Sequence, residues 1–377
     1  MLRRSIACSV VFACAASSAY ADWTNWAVQQ PGPFFVQETA SVPASPGPNG
    51  RCVAFGILEF STAAKRAEVW CTQNGLLTQM NVIDTGDTLP SVAMDVPPDS
   101  FGIPTLPAYA ITDPDNQQIW YGIAGQPPEL AVEGNRAFSL SLAHYPSGEP
   151  VLVYRGRNDV LYTASRKPTG EWSEMQLTNN SSGFARWSVD AVIRQGILHV
   201  AYWDATWQAV RYGRKEGATW VFETVKNLAG TDYVSPSVEG GDEGRAYVAY
   251  AGRDGLLHYF RRTAPGTWVE STFTPPQPVS TDFDQGKIGF AVDNTRRAHF
   301  LYGTGNGGVE VERVLRYLSN GPAGNWQYST AVTSVANNPE GYRGIDLAWR
   351  GRFSQKLVAS WSVTLVGLLQ LGCTDCQ

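Results

Sequence analysis

The chain is poor in the residues on which many enzymes and most nucleic-acid binders depend. Histidine occurs only 4 times in 377 residues. The four are His144, His199, His258 and His299, and all fall within expected strands or toward one end of them, which argues against a histidine base or a histidine-rich metal centre. Charged residues make up 17%, and 29 Lys and Arg face 34 Asp and Glu, for a net charge of -5. The basic excess that attracts nucleic acid is missing. After the N-terminal stretch no run of apolar residues is long enough to span a bilayer as a helix. G-x-S-x-G, H-E-x-x-H and phosphate-cradling glycine loops are also absent.

Aromatic residues, by contrast, reach 12%, and there are 37 Gly and 23 Pro. The aromatic content is too high for a disordered chain. Proline and glycine at this density break long helices, so a helix bundle is excluded.

Residues 1–21 read as a secretory signal peptide. Arg3 and Arg4 precede an apolar stretch from Ile6 to Ala16, and Ala19 and Ala21 supply the small residues of a cleavage site. Residues 22–377 then form the mature chain, which is expected outside the cytoplasm, secreted or periplasmic. It keeps Cys52, Cys71, Cys373 and Cys376, enough for two disulfides with three possible connectivities.

The strongest pattern is a repeat. Tyr154, Tyr202 and Tyr250 recur every 48 residues, with Tyr302 following, and each ends an apolar run. Trp172, Trp220, Trp268 and Trp326 each follow a glycine-containing turn, and Tyr162, Tyr212, Tyr259 and Tyr317 lie between the two sets. Each unit reads as four short strands rich in β-branched and aromatic residues, bounded by glycine or proline. In residues 138–178 the four are 138–145, 150–154, 160–165 and 171–177. Four-stranded units of this length are the arithmetic of a β-propeller. The units fall at about 35–86, 88–134, 136–180, 186–228, 233–275 and 286–333. A last unit near Tyr342 is one strand short. Residues 22–28 look like 171–177, the fourth strand of the third unit, so an all-β, seven-bladed propeller is expected, with the ring closed by the N-terminal strand completing the last blade. Cys52 and Cys71 should face each other across a hairpin turning near residue 61. Cys373 and Cys376 suit a small terminal disulfide.

The pattern resembles secreted bacterial propellers of the sialidase-like and BNR-repeat kind and, more loosely, the propeller lectins. The resemblance covers most of the mature chain and rests on architecture. Gly217–Trp220 and Gly266–Trp268 occupy the turn between the third and fourth strands where sialidase-like propellers carry S-x-D-x-G-x-T-W, here without its Ser and Asp. Pro33–Val36 lacks the arginine of the F-R-I-P segment.

The resemblance implies a ligand site on the face shared by the second-to-third-strand loops and the blade-to-blade connections. The connections contribute Arg136, Arg186, Trp187, Tyr233, Asp282, Lys287, Tyr342 and Arg343. The loops contribute Arg155, Trp203, Asp204, Trp207 and Arg253. Arginine forks suit a carboxylate, and aromatic rings suit the apolar face of a sugar. The recurring tryptophans are instead expected to pack blade against blade. The leading expectation is a carbohydrate-binding propeller that takes an acidic glycan. One alternative is a glycan-active enzyme, with Asp204 and Asp282 as hydrolytic carboxylates or Tyr233 and Tyr342 as lyase tyrosines. Another is a scaffold for a protein partner. No cofactor is expected, although Asp113–Asn116 and Asp282–Asp284 offer oxygen ligands of the kind calcium takes.

Overall fold

The computed structural model describes residues 23–29, 34–43, 51–59, 64–73, 76–97, 106–178, 189–228, 234–275, 288–293, 295–304, 315–320, 326–332, 342–350, 356–363 and 368–374. Within them the chain forms seven four-stranded antiparallel sheets. The first holds β2 (Phe34–Pro43), β3 (Arg51–Glu59), β4 (Lys65–Gln73) and β5 (Leu76–Asp84). The second holds β6 (Val92–Asp95), β7 (Ala108–Asp113), β8 (Gln118–Ile123) and β9 (Glu129–Glu133). The third holds β10 (Ser139–His144), β11 (Pro150–Arg155), β12 (Leu161–Arg166) and β13 (Trp172–Gln176). The fourth holds β14 (Val189–Arg194), β15 (Ile197–Asp204), β16 (Ala209–Glu216) and β17 (Thr219–Asn227). The fifth holds β18 (Ser237–Gly240), β19 (Ala246–Ala251), β20 (Leu257–Ala264) and β21 (Thr267–Phe273). The sixth holds β22 (Gly289–Val292), β23 (Ala298–Gly303), β24 (Leu315–Asn320) and β25 (Trp326–Val332). In the seventh, β26 (Tyr342–Arg350), β27 (Lys356–Val363) and β28 (Leu368–Thr374) are joined by β1 (Trp23–Gln29). Trp23 of β1 lies opposite Thr374, and Gln29 opposite Leu368.

Burial grades across the sheets whose side chains are described. In the third sheet every residue of β10 and β11 is buried, whereas β13 is almost wholly exposed. The cause is position. β10 packs against β6 of the second sheet and β14 of the fourth, so both its faces are covered. That is why the inner strands read as largely apolar runs, while charge gathers on the outer ones. The core is correspondingly divided. One apolar cluster joins the first and second sheets, a second joins the second and third, and others follow between third and fourth, fourth and fifth, and fifth and sixth. Tyr154, Tyr250 and Tyr302 are among the largest fully buried side chains, as the apolar runs they end require. Gly170, Gly217 and Gly266 turn the third strand into the fourth with φ of 91°, 61° and 69°. That left-handed geometry favours glycine and accounts for its recurrence before each tryptophan.

Cys52 and Cys71 stand directly opposite each other in β3 and β4 and are disulfide-bonded, with their Cα atoms 4.1 Å apart. Cys376 and residues 1–22 lie outside the described residues, and of Cys373 only the backbone is described. Among the described residues no helix is long and apolar enough to cross a membrane.

Candidate functional site

An up-and-down sheet sends its second-to-third loop and the exit of its fourth strand to the same end. The described part of that face runs over the second to fifth sheets. Arg136 is exposed, its guanidinium 4.9 Å from the centre of the Phe138 ring. Its charge also reaches Asp115, whose carboxyl is held below the usual range first by the Thr88 hydroxyl and then by the Asp87 and Thr88 backbone N–H groups. Arg157 donates to Gln117 Oε1 at 2.6 Å and to the Gly134 carbonyl at 3.1 Å, tying the third sheet to the second. Arg253 and Asp254 are exposed on the fifth-sheet loop, where Asp254 accepts from His258 at 3.1 Å.

Two expected ligand residues prove to be interior. Arg155 is 4% exposed and Trp203 3%. Arg155 Nη2 donates to the Trp203 carbonyl at 3.3 Å, joining the third sheet to the fourth. Burial lowers the pKa of Arg155, and the charges of Asp159 and Asp204 oppose that. Asp204 is also buried. Its Oδ1 caps the turn by accepting from Thr206 N at 3.0 Å and Trp207 N at 3.2 Å. Burial raises its pKa against those two hydrogen bonds. A carboxylate so engaged shapes a loop and is poorly placed to attack a glycosidic bond. The turn it caps presents Trp207, which is 67% exposed. Arg211 lies 5.5 Å from the centre of that ring and donates to Thr224 at 3.0 Å, so the indole is held from behind.

Arg186, Trp187, Tyr233, Asp282 and Lys287 lie outside the described residues. Tyr342 and Arg343 open β26, but their side chains are not among those described. Of the two oxygen-ligand candidates, 282–284 is likewise outside. In the other, Asp113 accepts from Asn116 Nδ2 at 2.7 Å, and Asp115 accepts from Thr88 N and Oγ1, each at 2.6 Å. Among the described residues no group of three or more His, Cys, Asp or Glu side chains is arranged to hold a metal ion.

The opposite face carries a feature that repeat-reading alone did not isolate. Glu129 of β9 pairs with Arg166 of β12 at 2.8 Å and accepts from the Trp172 indole at 3.0 Å. Glu223 of β17 pairs with Arg262 of β20 at 2.6 Å and accepts from the Trp268 indole at 3.2 Å. In each case an acid from one sheet clamps an arginine and a tryptophan of the next. A tyrosine completes the contact: Tyr121 meets Trp172 edge-on at 5.4 Å, and Tyr212 meets Trp268 at 5.1 Å. The tryptophans therefore pack sheet against sheet as expected. Opposite Tyr162 and Tyr259 the register places Gln176 and Ser271 instead, so the repeat does not by itself mark the acid.

Among the described residues, cavities open on this side. One, of about 650 Å³ between the third and fourth sheets, is lined by residues that include Glu149, Arg166, Lys167 and Lys215. Another, of about 520 Å³ between the fifth and sixth, is lined by residues that include Arg245, Arg261, Arg262, Arg296, Tyr259 and Trp326.

No family model matches the chain, and no curated relative does. Solved structures do. A fungal lectin from Aleuria aurantia, described as a six-bladed β-propeller with a novel fucose recognition mode, is 14% identical, with a TM-score of 0.51 over 80% of this chain and 97% of that one. A streptogramin B lyase is 10% identical, with a TM-score of 0.53 over 93% of this chain and 97% of its own. An arginine-substituted mutant of AofleA from Arthrobotrys oligospora is 10% identical, with a TM-score of 0.53 over 83% of this chain and 91% of its own. At these identities the likeness is one of fold: the chain has β-propeller architecture.

Proposed function

We propose that this chain is a secreted carbohydrate-binding propeller of seven blades, its ring closed by β1, that prefers acidic glycans. Packing of β26 against both β22 and β2 supports the ring, as does the pairing of β1 with β28. A disulfide in β3 and β4 supports an oxidising destination. The similar fungal lectin supports carbohydrate as the ligand class.

One observation carries the reading. Trp207 offers an exposed indole on the loop face, backed by Arg211, on a surface that also bears the exposed cations Arg136 and Arg253. An aromatic plane takes the apolar face of a sugar ring, and a guanidinium fork takes its carboxylate. Arg186, Arg343, Lys287 and Trp187 complete the proposed set. Arg155, Trp203 and Asp204 hold the loops in place from inside.

The test is a glycan array read with the wild-type protein, with Trp207→Ala, and with Arg136→Ala, Arg186→Ala and Arg343→Ala combined. Wild type should retain acidic glycans without releasing product. Trp207→Ala should weaken retention by about tenfold, the equivalent of ~1.4 kcal/mol. The triple variant should lose the preference for acidic over neutral glycans. Unchanged retention in both variants would move the site off this face.

A further inference from the structure

The clamp between sheets has a register. Its acid stands opposite the repeat tyrosine: Glu129 opposite Tyr121 and Glu223 opposite Tyr212. Its arginine stands opposite the repeat tryptophan: Arg166 opposite Trp172 and Arg262 opposite Trp268. The same register places Gln176 and Lys215 at the junction of the third and fourth sheets. At the junction of the fifth and sixth it places Ser271, opposite Tyr259, and Asn320, opposite Trp326. There both halves of the ion pair are replaced at once by short, uncharged residues. Tyr259 and Trp326 remain, with ring centres 6.2 Å apart and nearly edge-on.

The 520 Å³ cavity lies where the clamp has been deleted. Ser271 and Trp326 are in its wall, and Tyr247 stacks on Tyr259 at 6.1 Å. Its rim comes from strand ends and turns: Arg245, Arg261, Arg262 and Arg296. Arg262 is committed to Glu223, but no carboxylate is among the described lining residues. A cavity with the exposed cations Arg261 and Arg296, aromatic faces and the hydroxyls of Ser271 and Thr263, and with no carboxylate in its described wall, favours an anion. Its volume suits a single ring-sized ligand. The junction of the third and fourth sheets differs. Its wall includes Glu149, and its cations Arg166 and Lys167 are paired with Glu129 and Glu171.

We propose that the cavity between the fifth and sixth sheets is an anion-selective binding site for a saccharide residue that bears a carboxylate or a sulfate ester. Arg261 and Arg296 would hold the oxyanion, Tyr259 and Trp326 the ring's apolar face, and Ser271 and Thr263 its hydroxyls. The choice of a saccharide rests on the carbohydrate reading above. The site itself lies on the opposite face of the molecule from Trp207 and is independent of that loop surface.

Titration calorimetry with D-glucuronic acid, D-glucose 6-sulfate and D-glucose tests it. Wild type should bind at least one of the two acids about tenfold or more tightly than D-glucose, and the stronger of the two identifies the anion. Arg261→Ala with Arg296→Ala, both exposed side chains, should abolish the discrimination without altering the melting temperature. Ser271→Glu with Asn320→Arg, which rebuilds the clamp, should close the cavity and remove acid binding while keeping the fold. Trp207→Ala should leave these isotherms unchanged even where it loses array binding, so failure of the loop-face reading and failure of this one are separable. Acid binding that survives in the rebuilt-clamp variant, equal affinity for D-glucose, or no binding of either acid by wild type overturns the proposal.

Discussion

His199 shows how burial sets the behaviour of a single residue. It is 0% exposed, its Nδ1 lies 2.6 Å from the Tyr212 hydroxyl, and its Nε2 has no hydrogen-bond partner among the described residues. Burial first, then the charges of Arg214 and Arg262, pull its pKa from 6.5 to about 4. The imidazole is therefore neutral in the fold across a range in which it is protonated in the unfolded chain. Between about pH 6.5 and pH 4 the unfolded state binds a proton that the folded state does not, so stability falls as pH falls and levels off below about 4. The full effect is on the order of 3 kcal/mol. Urea unfolding from pH 7 to pH 4 should show this decline, and His199→Gln should flatten it. Single residues were the least legible scale in the sequence. Arg155 and Trp203 look like loop-face ligands by position, but each stands at or next to the end of a buried, largely apolar inner strand, and the sheet draws them inward. Trp207, four residues beyond Trp203, escapes burial because the Asp204 cap turns the chain outward.

At the scale of elements, strands and their order were largely readable. Expected strands 138–145, 150–154, 160–165 and 171–177 correspond to β10 to β13 within one or two residues. Apolar runs bounded by proline and by positive-φ glycine leave little freedom. The Cys52–Cys71 bridge followed from the same hairpin register. Contacts between sheets were harder to read. A clamp such as Glu223–Arg262–Trp268 joins residues 39 and 45 positions apart, and nothing local marks the acid. Its two charged side chains are only 5% and 6% exposed, and Arg262 holds the pKa of Glu223 below the usual carboxylate range against a burial effect that raises it. Glu223→Gln would leave the guanidinium buried with a neutral partner. It should cost about 3 kcal/mol in chemical denaturation, because removing one member of a buried pair strands the other charge. Glu171→Gln, whose 3.7 Å pair with Lys167 is exposed, should change little.

For the molecule as a whole, the terminal strand matters most. β1 supplies the fourth strand of the seventh sheet, some 340 residues away from its partner in sequence. The match between residues 22–28 and 171–177 was the signal, and it was readable because the last unit was one strand short. Removing residues 22–29 would expose the edge of β28 and detach the ring's proposed fastening. That variant should aggregate or melt well below the full mature chain in a light-scattering melt, whereas a chain permuted to place residues 22–29 after residue 377 should regain the melting temperature. Equal stability of the truncated and intact chains would show that closure contributes nothing. The ligand was the least legible feature at this scale, because charged residues far apart in sequence become a site only when sheets bring their loops together. The most direct measurement is retention of the wild-type protein on an array that carries uronic-acid oligosaccharides beside the same oligosaccharides with their carboxyl groups reduced. The account predicts retention on the acidic set and its loss on the reduced set. Equal retention on both, or none on either, would contradict it.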